Sequence, residues 1–420
     1  MHPKNETTMI PEIHIEDYSY PLTEDRIAKY PLAQRDSSKL LIYNRGNIDQ
    51  KHFRDIPAYI PEHSLMIFND TKVVPARLHF RRDSGAHIEI FCLQPIDPSE
   101  YVQAFSSTER CVWQCVIGNS KRWKDDILSY YVPEGIQSPE MEKIGLKARL
   151  FKRNGQSGDV EFTWNTGIPF SKVLDICGNI PIPPYLNRDT EAIDIERYQT
   201  VYAHIRGSVA APTAGLHFSE DTLTALKGKG VEMENVCLHV GAGTFLPVKT
   251  SDVSEHHMHR EPFVVKKELI EKLISTDRRV VAVGTTSVRT LESLYYVGVS
   301  CIENGHPEDV SQWAPYQRDY EYTTKQSLQA IVDYLNANAL NELKVGTRII
   351  IVPTFRFRIV DMLITNFHQS ESTLILLVAA FVGEDWRKIY DYALSHDFRF
   401  LSYGDSSLLF RSNSGGLTVE

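Results

Sequence analysis

The chain has 420 residues, 42% of them hydrophobic and 24% charged, which is the composition of a globular protein with a sizeable apolar core. Its 45 lysines and arginines against 54 aspartates and glutamates give a formal net charge of −9, which excludes a surface that is basic throughout. Local basic patches can still hold a phosphate backbone, because affinity depends on the charges at the contact surface. The six cysteines form no C-x-x-C pair, which argues against a disulfide framework or a thiolate zinc site.

The hydropathy pattern predicts a cytoplasmic protein without a membrane segment. Residues 1–17 carry few apolar side chains, whereas a secretory signal needs a hydrophobic stretch. The longest apolar run, residues 374–382, has nine residues where a membrane-spanning helix needs about 20.

The first predicted elements are a short helix and two strands. A polar cap and an acidic first turn predict a helix over residues 23–30, which Pro31 ends because proline cannot continue the helical hydrogen bonds. Residues 39–43 and 64–68 have the apolar character of strands. The second strand leads into an Asn-Asp-Thr sequence that contains Asp70. Polar groups at the C-terminal end of a strand are typical of ligand sites in open α/β sheets.

A different pattern follows over residues 75–165. Short, mostly alternating apolar runs are separated by Gly, Pro and Asp turns, and most have no helical pattern between them. Such a series predicts a small antiparallel β-barrel. The runs cover residues 76–82, 87–94, 111–118, 127–132, 146–152 and 160–164.

Beyond the barrel, strand and helix patterns alternate, as in βα units. The fold class we expect is therefore α/β, a mainly parallel sheet with flanking helices that is interrupted by an inserted small antiparallel β-barrel. Residues 1–74 and 166–420 would form a discontinuous α/β domain, and residues 75–165 the inserted barrel domain. Predicted strands cover residues 231–240, 280–284, 347–352 and 360–365, and predicted helices cover 266–275, 287–297, 324–338, 371–382 and 384–395.

A strand, a glycine turn and a helix start follow one another over residues 280–287, Val-Val-Ala-Val-Gly-Thr-Thr-Ser. Free N–H groups and the positive end of the helix dipole favour an anion at such a helix start. Arg289, in the first turns, can bind a carboxylate or phosphate through two hydrogen bonds. Simple capping by Thr285 or Thr286, with a solvated Arg289, explains the pattern equally well.

Two histidines accompany segments rich in small residues. His239 begins the sequence His-Val-Gly-Ala-Gly-Thr-Phe, in which Gly241 and Gly243 permit close approach of a ligand to the backbone. A dinucleotide fingerprint would need a third glycine and a following helix, so a plain turn is the alternative. His217 lies near the end of the small-residue segment 207–218 and can carry a proton near neutral pH, or it can simply pack in the core.

Further polar groups occur at one histidine-rich run and at the end of another strand. His259 and Glu261 belong to a His-His-Met-His-Arg-Glu run whose spacing does not match the i, i+4 pair of a helical metal site. Proton transfer or hydrogen bonding is therefore favoured over metal binding, with a solvated loop as the alternative. Asn366 and His368 end a predicted strand and need hydrogen-bond partners wherever they lie.

A basic cluster follows the Asn-Asp-Thr sequence. Cations at a strand end can grip phosphates, although solubilising surface charge explains the cluster almost as well. Its members are Lys72, Arg77, Arg81 and Arg82.

Nine motifs occur along the chain, at residues 30–32, 35–38, 69–77, 207–218, 239–245, 256–261, 283–293, 363–368 and 402–405. Taken together and in this order, they resemble a single family, the S-adenosylmethionine:tRNA ribosyltransferase-isomerases of the queuosine pathway. Residues 97–110 and roughly 305–344 are longer than the family's usual links, and Gln369-Ser370-Glu371 replaces a more typical Leu-Pro-Lys.

This resemblance implies that S-adenosylmethionine is a consumed co-substrate whose ribosyl part is transferred to 7-aminomethyl-7-deazaguanine at the tRNA wobble position and isomerised. Adenine and methionine leave, and epoxyqueuosine-tRNA forms. The family's architecture is an α/β domain with an inserted β-barrel. The resemblance further implies a monomer in the cytosol that acts on the tRNA anticodon stem-loop, and no metal is expected.

The implied chemistry suggests a role for each candidate residue. A base must remove a proton beside the sulfonium, and an acid should assist the departure of adenine. The acid-base candidates are His217, His239 and His259, with Asp70 and Glu261 orienting them or stabilising the cation. The candidates for binding the nucleoside, the methionine carboxylate and the deazaguanine edge are Gly241, Gly243, Thr285, Thr286, Arg289, Asn366 and His368, and those for binding RNA are Lys72, Arg77, Arg81 and Arg82.

Two other functions stay open at this point. A methyltransferase would use the same donor but would release no adenine. A non-catalytic RNA-binding module would use the basic cluster and leave S-adenosylmethionine intact. Neither accounts for the ordered set of motifs.

Overall fold

The computed structural model describes residues 10–124, 126–132, 139–155, 157–240 and 250–412. In this part of the chain, no helix is both long and apolar enough to cross a membrane. The strands are β1 (Lys39–Asn44), β2 (Asn47–His52), β3 (Leu65–Asn69), β4 (Thr71–Val73), β5 (Arg77–Arg81), β6 (His87–Asp97), β7 (Arg110–Gly118), β8 (Leu128–Tyr130), β9 (Lys147–Asn154), β10 (Ser157–Thr163), β11 (Ile205–Ser208), β12 (Glu232–Leu238), β13 (Glu261–Lys266), β14 (Val280–Val283), β15 (Glu342–Thr347), β16 (Met362–Asn366) and β17 (Ser406–Phe410). The helices are α1 (Tyr101–Ser106), α2 (Pro139–Ile144), α3 (Phe170–Cys177), α4 (Ala192–Arg197), α5 (Glu220–Gly228), α6 (Lys267–Ser275), α7 (Thr285–Asn304), α8 (Thr324–Ala337), α9 (Thr373–Val382) and α10 (Trp386–Ser395).

A nine-stranded sheet has the order β15-β13-β12-β3-β14-β16-β17-β1-β2. Among the described strands, four of its eight pairings are parallel and four are antiparallel. The sheet is thus mixed, and the prediction of a mainly parallel sheet is not confirmed. The alternation of predicted helices and strands indicates crossover connections, which join parallel strands. It does not indicate tight hairpins, which join antiparallel strands. One such hairpin joins β1 to β2 through Arg45 and Gly46, which both have positive φ, as a two-residue hairpin loop requires.

The predicted antiparallel barrel is confirmed, with six strands closed in the order β10-β7-β6-β5-β8-β9. Strand β10 alternates buried and partly buried residues, which is the pattern of a wall with one face on the core. The rings of Phe80, Trp113 and Phe162 fill the interior, and Phe170 of α3 packs against Trp113 at 5.7 Å between ring centroids. The strands run from Arg77 to Thr163, and the division of the chain into domains stays a prediction.

Helix α7 packs against the central strands and against α8. The two helices come so close that a Cβ at Gly298 would lie 2.1 Å from the carbonyl oxygen of Ser327. On the same helix, the buried Glu292 carboxylate accepts hydrogen bonds from the backbone N–H groups of Arg358, Ile359 and Val360 at 2.8, 3.1 and 2.9 Å. This carboxylate therefore supplies the acceptors that an irregular buried segment lacks.

Two predicted elements are wrong in type or position. Residues 23–30 form only a short 3-10 turn at Glu24–Arg26, because Ile27 leaves helical geometry to pair with Phe400. The strand predicted at 347–352 lies earlier, at Glu342–Thr347. Residues 349–352 are buried in the core but join no sheet. A short run of buried apolar residues has the same sequence pattern as a buried strand, so the prediction could not separate the two.

Replacing Glu292 by alanine would leave three buried N–H groups without acceptors. We expect Glu292→Ala to lower the free energy of unfolding by about 3 kcal/mol or more, and Glu292→Gln, which keeps one carbonyl acceptor, to cost less. Urea denaturation measures both values. A loss below about 0.5 kcal/mol in Glu292→Ala would contradict the structural role given to this carboxylate.

Candidate active site

A pocket lies at the C-terminal ends of the neighbouring parallel strands β14 and β16. Its main walls come from segments far apart in sequence, residues 210–214, 284–286, 365–369 and 401–402. Parallel strands end at the same edge of a sheet, so the polar residues that follow them meet there. Of the predicted site residues, the pocket brings together Thr285, Thr286, Asn366 and His368.

The N-terminus of α7 forms one wall of this pocket. Gly284 precedes the helix with a φ of +86°, a conformation that favours glycine. The first N–H groups of a helix have no intrahelical acceptor, and the helix dipole adds positive potential there. The Thr286 hydroxyl is buried and has no hydrogen-bond partner among the described residues. This wall is therefore suited to an anionic group of a ligand.

His217 is buried and both of its ring nitrogens are engaged. Its Nδ1 lies 2.9 Å from the Ser38 hydroxyl, and the Asn366 side-chain amide, which also donates to the Leu401 carbonyl, donates to its Nε2 at 3.1 Å. Because Nε2 accepts, the proton resides on Nδ1. Burial, together with the charges of Arg399 and Arg35, lowers the pKa of His217 to about 3. His217 is thus held as a neutral imidazole that orients Asn366.

His368 is held in a similar way by hydrogen bonds within the protein. Its Nε2 lies 2.8 Å from the Thr365 hydroxyl, and its backbone carbonyl accepts a hydrogen bond from the Tyr20 hydroxyl. Its backbone N–H donates to the Tyr390 hydroxyl at 3.1 Å. Burial lowers the pKa of His368 to about 3, so this imidazole is neutral at physiological pH.

Asp70 and His239 follow β3 and β12, the next two parallel strands of the sheet. Burial raises the pKa of Asp70 to about 6, against the opposing effects of His204 and Lys266. The His239 ring stacks on Tyr101 of α1 at 4.5 Å between centroids, and burial lowers the pKa of His239 to about 4. Asp70 Oδ1 and His239 Nδ1 are buried and without hydrogen-bond partners in the described part of the chain. Both groups can therefore accept a proton or a ligand contact.

Arg289 and Glu261 form a buried ion pair with each other. The Nε of Arg289 also donates to the Ile349 carbonyl at 3.2 Å. A buried charge that loses its partner is strongly destabilising, so this pair holds together rather than opening to a substrate. The guanidinium expected to clamp a ligand is thus tied through Nη1 to the carboxylate expected to orient a histidine, and its Nη2 is buried without a partner among the described residues.

The remaining predicted histidine, His259, is not among the residues that line this pocket. His259 is exposed, one residue before Arg260, whose guanidinium pairs with Asp309. Gly241 and Gly243 lie outside the described residues. Within those residues, no group of three or more His, Cys, Asp or Glu side chains is placed to hold a metal ion.

Two members of the predicted RNA-binding cluster are paired with carboxylates. Arg77 lies 2.9 Å from Glu89, and Arg82 lies 2.6 Å from Asp126. Arg81 is exposed and lies 5.6 Å from the centre of the Tyr131 ring. Lys72, the fourth member, is half-buried on β4. The cluster therefore carries less free positive charge than its sequence indicates.

Sequence reasoning assigned no role to several side chains that shape the site. Ser38 contacts His217, Thr365 contacts His368, and the hydroxyls of Tyr185 and Ser402 lie 2.5 Å apart in the pocket wall. Ser38, Thr365 and Ser402 belong to recognised motifs, so the motif order was the signal that could have found them. Tyr185 carried no comparable signal.

Acid should destabilise the protein through its buried neutral histidines. An ordinary histidine has a pKa near 6.5, so an unfolded chain gains protons below that pH while the folded His217 and His368 do not until about pH 3. Stability should therefore fall as the pH drops from 6.5, by about 1.4 kcal/mol per unit for each group. In His217→Gln, urea denaturation should show about 2 to 3 kcal/mol less loss between pH 6.5 and 4.5. The exposed His306→Gln serves as control, and an identical pH dependence in both variants would contradict the prediction.

Comparisons with known proteins agree with this arrangement of motifs. A family model described as "Queuosine biosynthesis protein" matches residues 15–409. Proteins named S-adenosylmethionine:tRNA ribosyltransferase-isomerase from Trichlorobacter lovleyi and Citrifermentans bemidjiense are each 36% identical, over 94% of this chain and 99% of theirs. A solved structure of an S-adenosylmethionine tRNA ribosyltransferase from Thermotoga maritima is 26% identical, over 93% of this chain and 99% of that one, with a TM-score of 0.44. The family model and the two relatives show that the chain belongs to the family of queuosine biosynthesis proteins.

Proposed function

We propose that this protein transfers and isomerises the ribosyl part of S-adenosylmethionine onto 7-aminomethyl-7-deazaguanine at the wobble position of tRNA, with release of adenine and methionine. The observation that carries the proposal is its similarity, along nearly the whole chain, to relatives that bear this enzyme's name. The pocket adds support, because ordered motifs of the sequence meet in it. The protein would act as a monomer in the cytoplasm, on the anticodon stem-loop.

The methionine carboxylate would bind at the start of α7, at Thr285 and Thr286. Unpaired backbone N–H groups and the positive end of the dipole compensate a carboxylate there. Arg289 stays a candidate for this carboxylate, because Glu261 engages only its Nη1 and its Nη2 has no partner among the described residues. Gly241 and Gly243 stay proposed for close contact with the nucleoside.

Proton transfer would fall to Asp70 and His239 rather than to His217. A base that removes the ribose proton beside the sulfonium works best when its pKa lies near the operating pH, and the pKa of Asp70 is about 6. His239 has a ring nitrogen with no partner in the described part of the chain, whereas both nitrogens of His217 are bonded within the protein. His259, being exposed, would take part only in contacts with the bound tRNA.

The deazaguanine base would be read by Asn366 and His368. Both side chains line the pocket, and neighbouring residues fix their orientation. Fixed donors and acceptors discriminate bases because a mismatched edge leaves a buried polar group unpaired. Lys72 and Arg81, with Arg77 and Arg82, would hold tRNA phosphates beside the barrel.

The products of a single incubation test the function. Purified protein with S-adenosylmethionine and tRNA that carries the aminomethyl base should yield adenine, methionine and a heavier nucleoside in equal amounts, measured by liquid chromatography and mass spectrometry. A methyltransferase would release no adenine. An RNA-binding module would retain the tRNA and leave the donor unconsumed.

Asp70 should give the reaction a pH dependence. A base works when it is deprotonated, so single-turnover release of adenine should rise with pH and reach half its maximum near pH 6. Asp70→Asn should lower the rate about a hundredfold or more and remove this rise. The exposed Asp333→Asn is the matched control. A rate in Asp70→Asn close to that of the control would exclude Asp70 as the base.

A further inference from the structure

Tyr30 presents an anchored aromatic ring at the surface. The ring is 47% exposed, and the Arg188 guanidinium lies 4.3 Å from its centre. The Tyr30 hydroxyl donates to the Glu191 carboxylate at 2.7 Å, which fixes the ring's orientation. Arg188 is itself held by the buried Asp194 at 2.7 Å. A ring that is held in this way and left exposed offers a stacking surface to another flat group.

Arg197 contacts the segment that follows Tyr30, Arg35 lies five positions after Tyr30 in the chain, and no described carboxylate pairs with either guanidinium. Arg197 donates to the carbonyls of Leu32 and Ala33, at 2.6 and 3.1 Å, just after Tyr30 in the chain. Arg35 donates only to backbone carbonyls, at 2.7 to 3.3 Å. In the described part of the chain, neither guanidinium forms an ion pair, and the Arg197 Nε is buried without an acceptor.

Mutual repulsion makes this pair of arginines receptive to an anion. Burial and the charge of Arg197 both lower the pKa of Arg35, with only partial compensation from Glu196. Guanidinium groups present five N–H donors in a fork that matches phosphate oxygens. An anion between the two groups would relieve their repulsion and satisfy donors that backbone carbonyls leave unused.

The arginine pair borders the candidate active site. Arg35 and Arg197 line a cavity that also contains His217 and Arg399. Asp405 neutralises Arg399 at 3.0 Å, so it adds no net charge. His217 in turn contacts Asn366 in the main pocket at 3.1 Å, so one histidine separates the arginine pair from the pocket wall.

We propose that Tyr30, Arg35 and Arg197 bind one nucleotide of a single-stranded RNA segment, with its base stacked on the Tyr30 ring and a phosphate held by the two guanidinium groups. The proposal rests on the proposed function and deepens it. A nucleotide that flanks the wobble position in the anticodon loop would occupy this site while the modified base enters the pocket. Base stacking on an aromatic ring together with a cationic grip on the backbone is the general mode of single-strand recognition.

Affinity for tRNA tests the stacking contact. Tyr30→Ala should weaken binding of tRNA that carries the aminomethyl base by about 5- to 100-fold, because one stacked base contributes that much. Tyr30→Phe keeps the ring and should bind nearly as tightly as the unaltered protein. Tyr30 is exposed, so its replacement leaves the core intact.

The salt dependence of the same affinity tests the phosphate contact. Arg197→Gln should reduce the slope of log affinity against log salt by about 0.7, the value for one lost phosphate contact to a single strand. Arg318→Gln, whose parent guanidinium is already paired with Glu303, should leave the slope unchanged.

The anion at this site could instead be the methionine carboxylate of S-adenosylmethionine. Calorimetric measurement of S-adenosylmethionine affinity distinguishes this carboxylate from an RNA phosphate. The proposal expects this affinity to be the same in Tyr30→Ala, Arg197→Gln and the unaltered protein. If Arg197→Gln weakened S-adenosylmethionine binding and left the tRNA salt slope unchanged, the site would hold the methionine carboxylate and the proposal would be wrong. Unchanged tRNA affinity in Tyr30→Ala would also overturn it. Failure of the unaltered protein to consume S-adenosylmethionine, with tRNA binding and its response to Tyr30→Ala intact, would instead reject the proposed function alone.

Discussion

Parallel pairing of four adjacent strands, β12, β3, β14 and β16, is the constraint on which the candidate site depends. Their C-terminal ends lie along one edge of the sheet, and each leads directly into polar residues: His239, Asp70, Thr285 and Asn366. A strand in the opposite direction would carry its polar end to the far edge. The order of strands in the sheet, rather than any local motif, therefore sets which side chains can act together.

Most polar groups of the site already have hydrogen-bond or ion-pair partners within the protein. His217 is hydrogen-bonded to Ser38 and Asn366, and Glu261 forms an ion pair with Arg289. Burying such polar groups costs free energy of folding. In return, their dipoles are already oriented and need no reorganisation when a ligand binds. The exceptions lack partners among the described residues and mark where a ligand can complete the network: Asp70 Oδ1, His239 Nδ1, the Thr286 hydroxyl, Asn366 Oδ1 and Arg289 Nη2.

The sequence showed which polar residues follow the strands, but it did not show which of them already have partners within the protein. The run from Val280 to Ser287 was recognisable because a buried strand, a glycine with positive φ and a helix start are all local features. Arg289 was expected to clamp a substrate, but its partner Glu261 lies 28 positions away and only folding brings them together. The arginines of the barrel cluster looked free for the same reason, because Glu89 and Asp126 are distant in sequence.

The sequence by itself determined the antiparallel barrel, most strands of the sheet, and the family, because turn residues, alternation and ordered motifs are properties of the linear chain. The tertiary structure alone decided the mixed direction of the sheet, the neutral state of His217 and His368, and the partners of each charged group. Burial and charge pairing act through space between distant residues. A side chain's protonation and availability are therefore set by neighbours that no local pattern reveals.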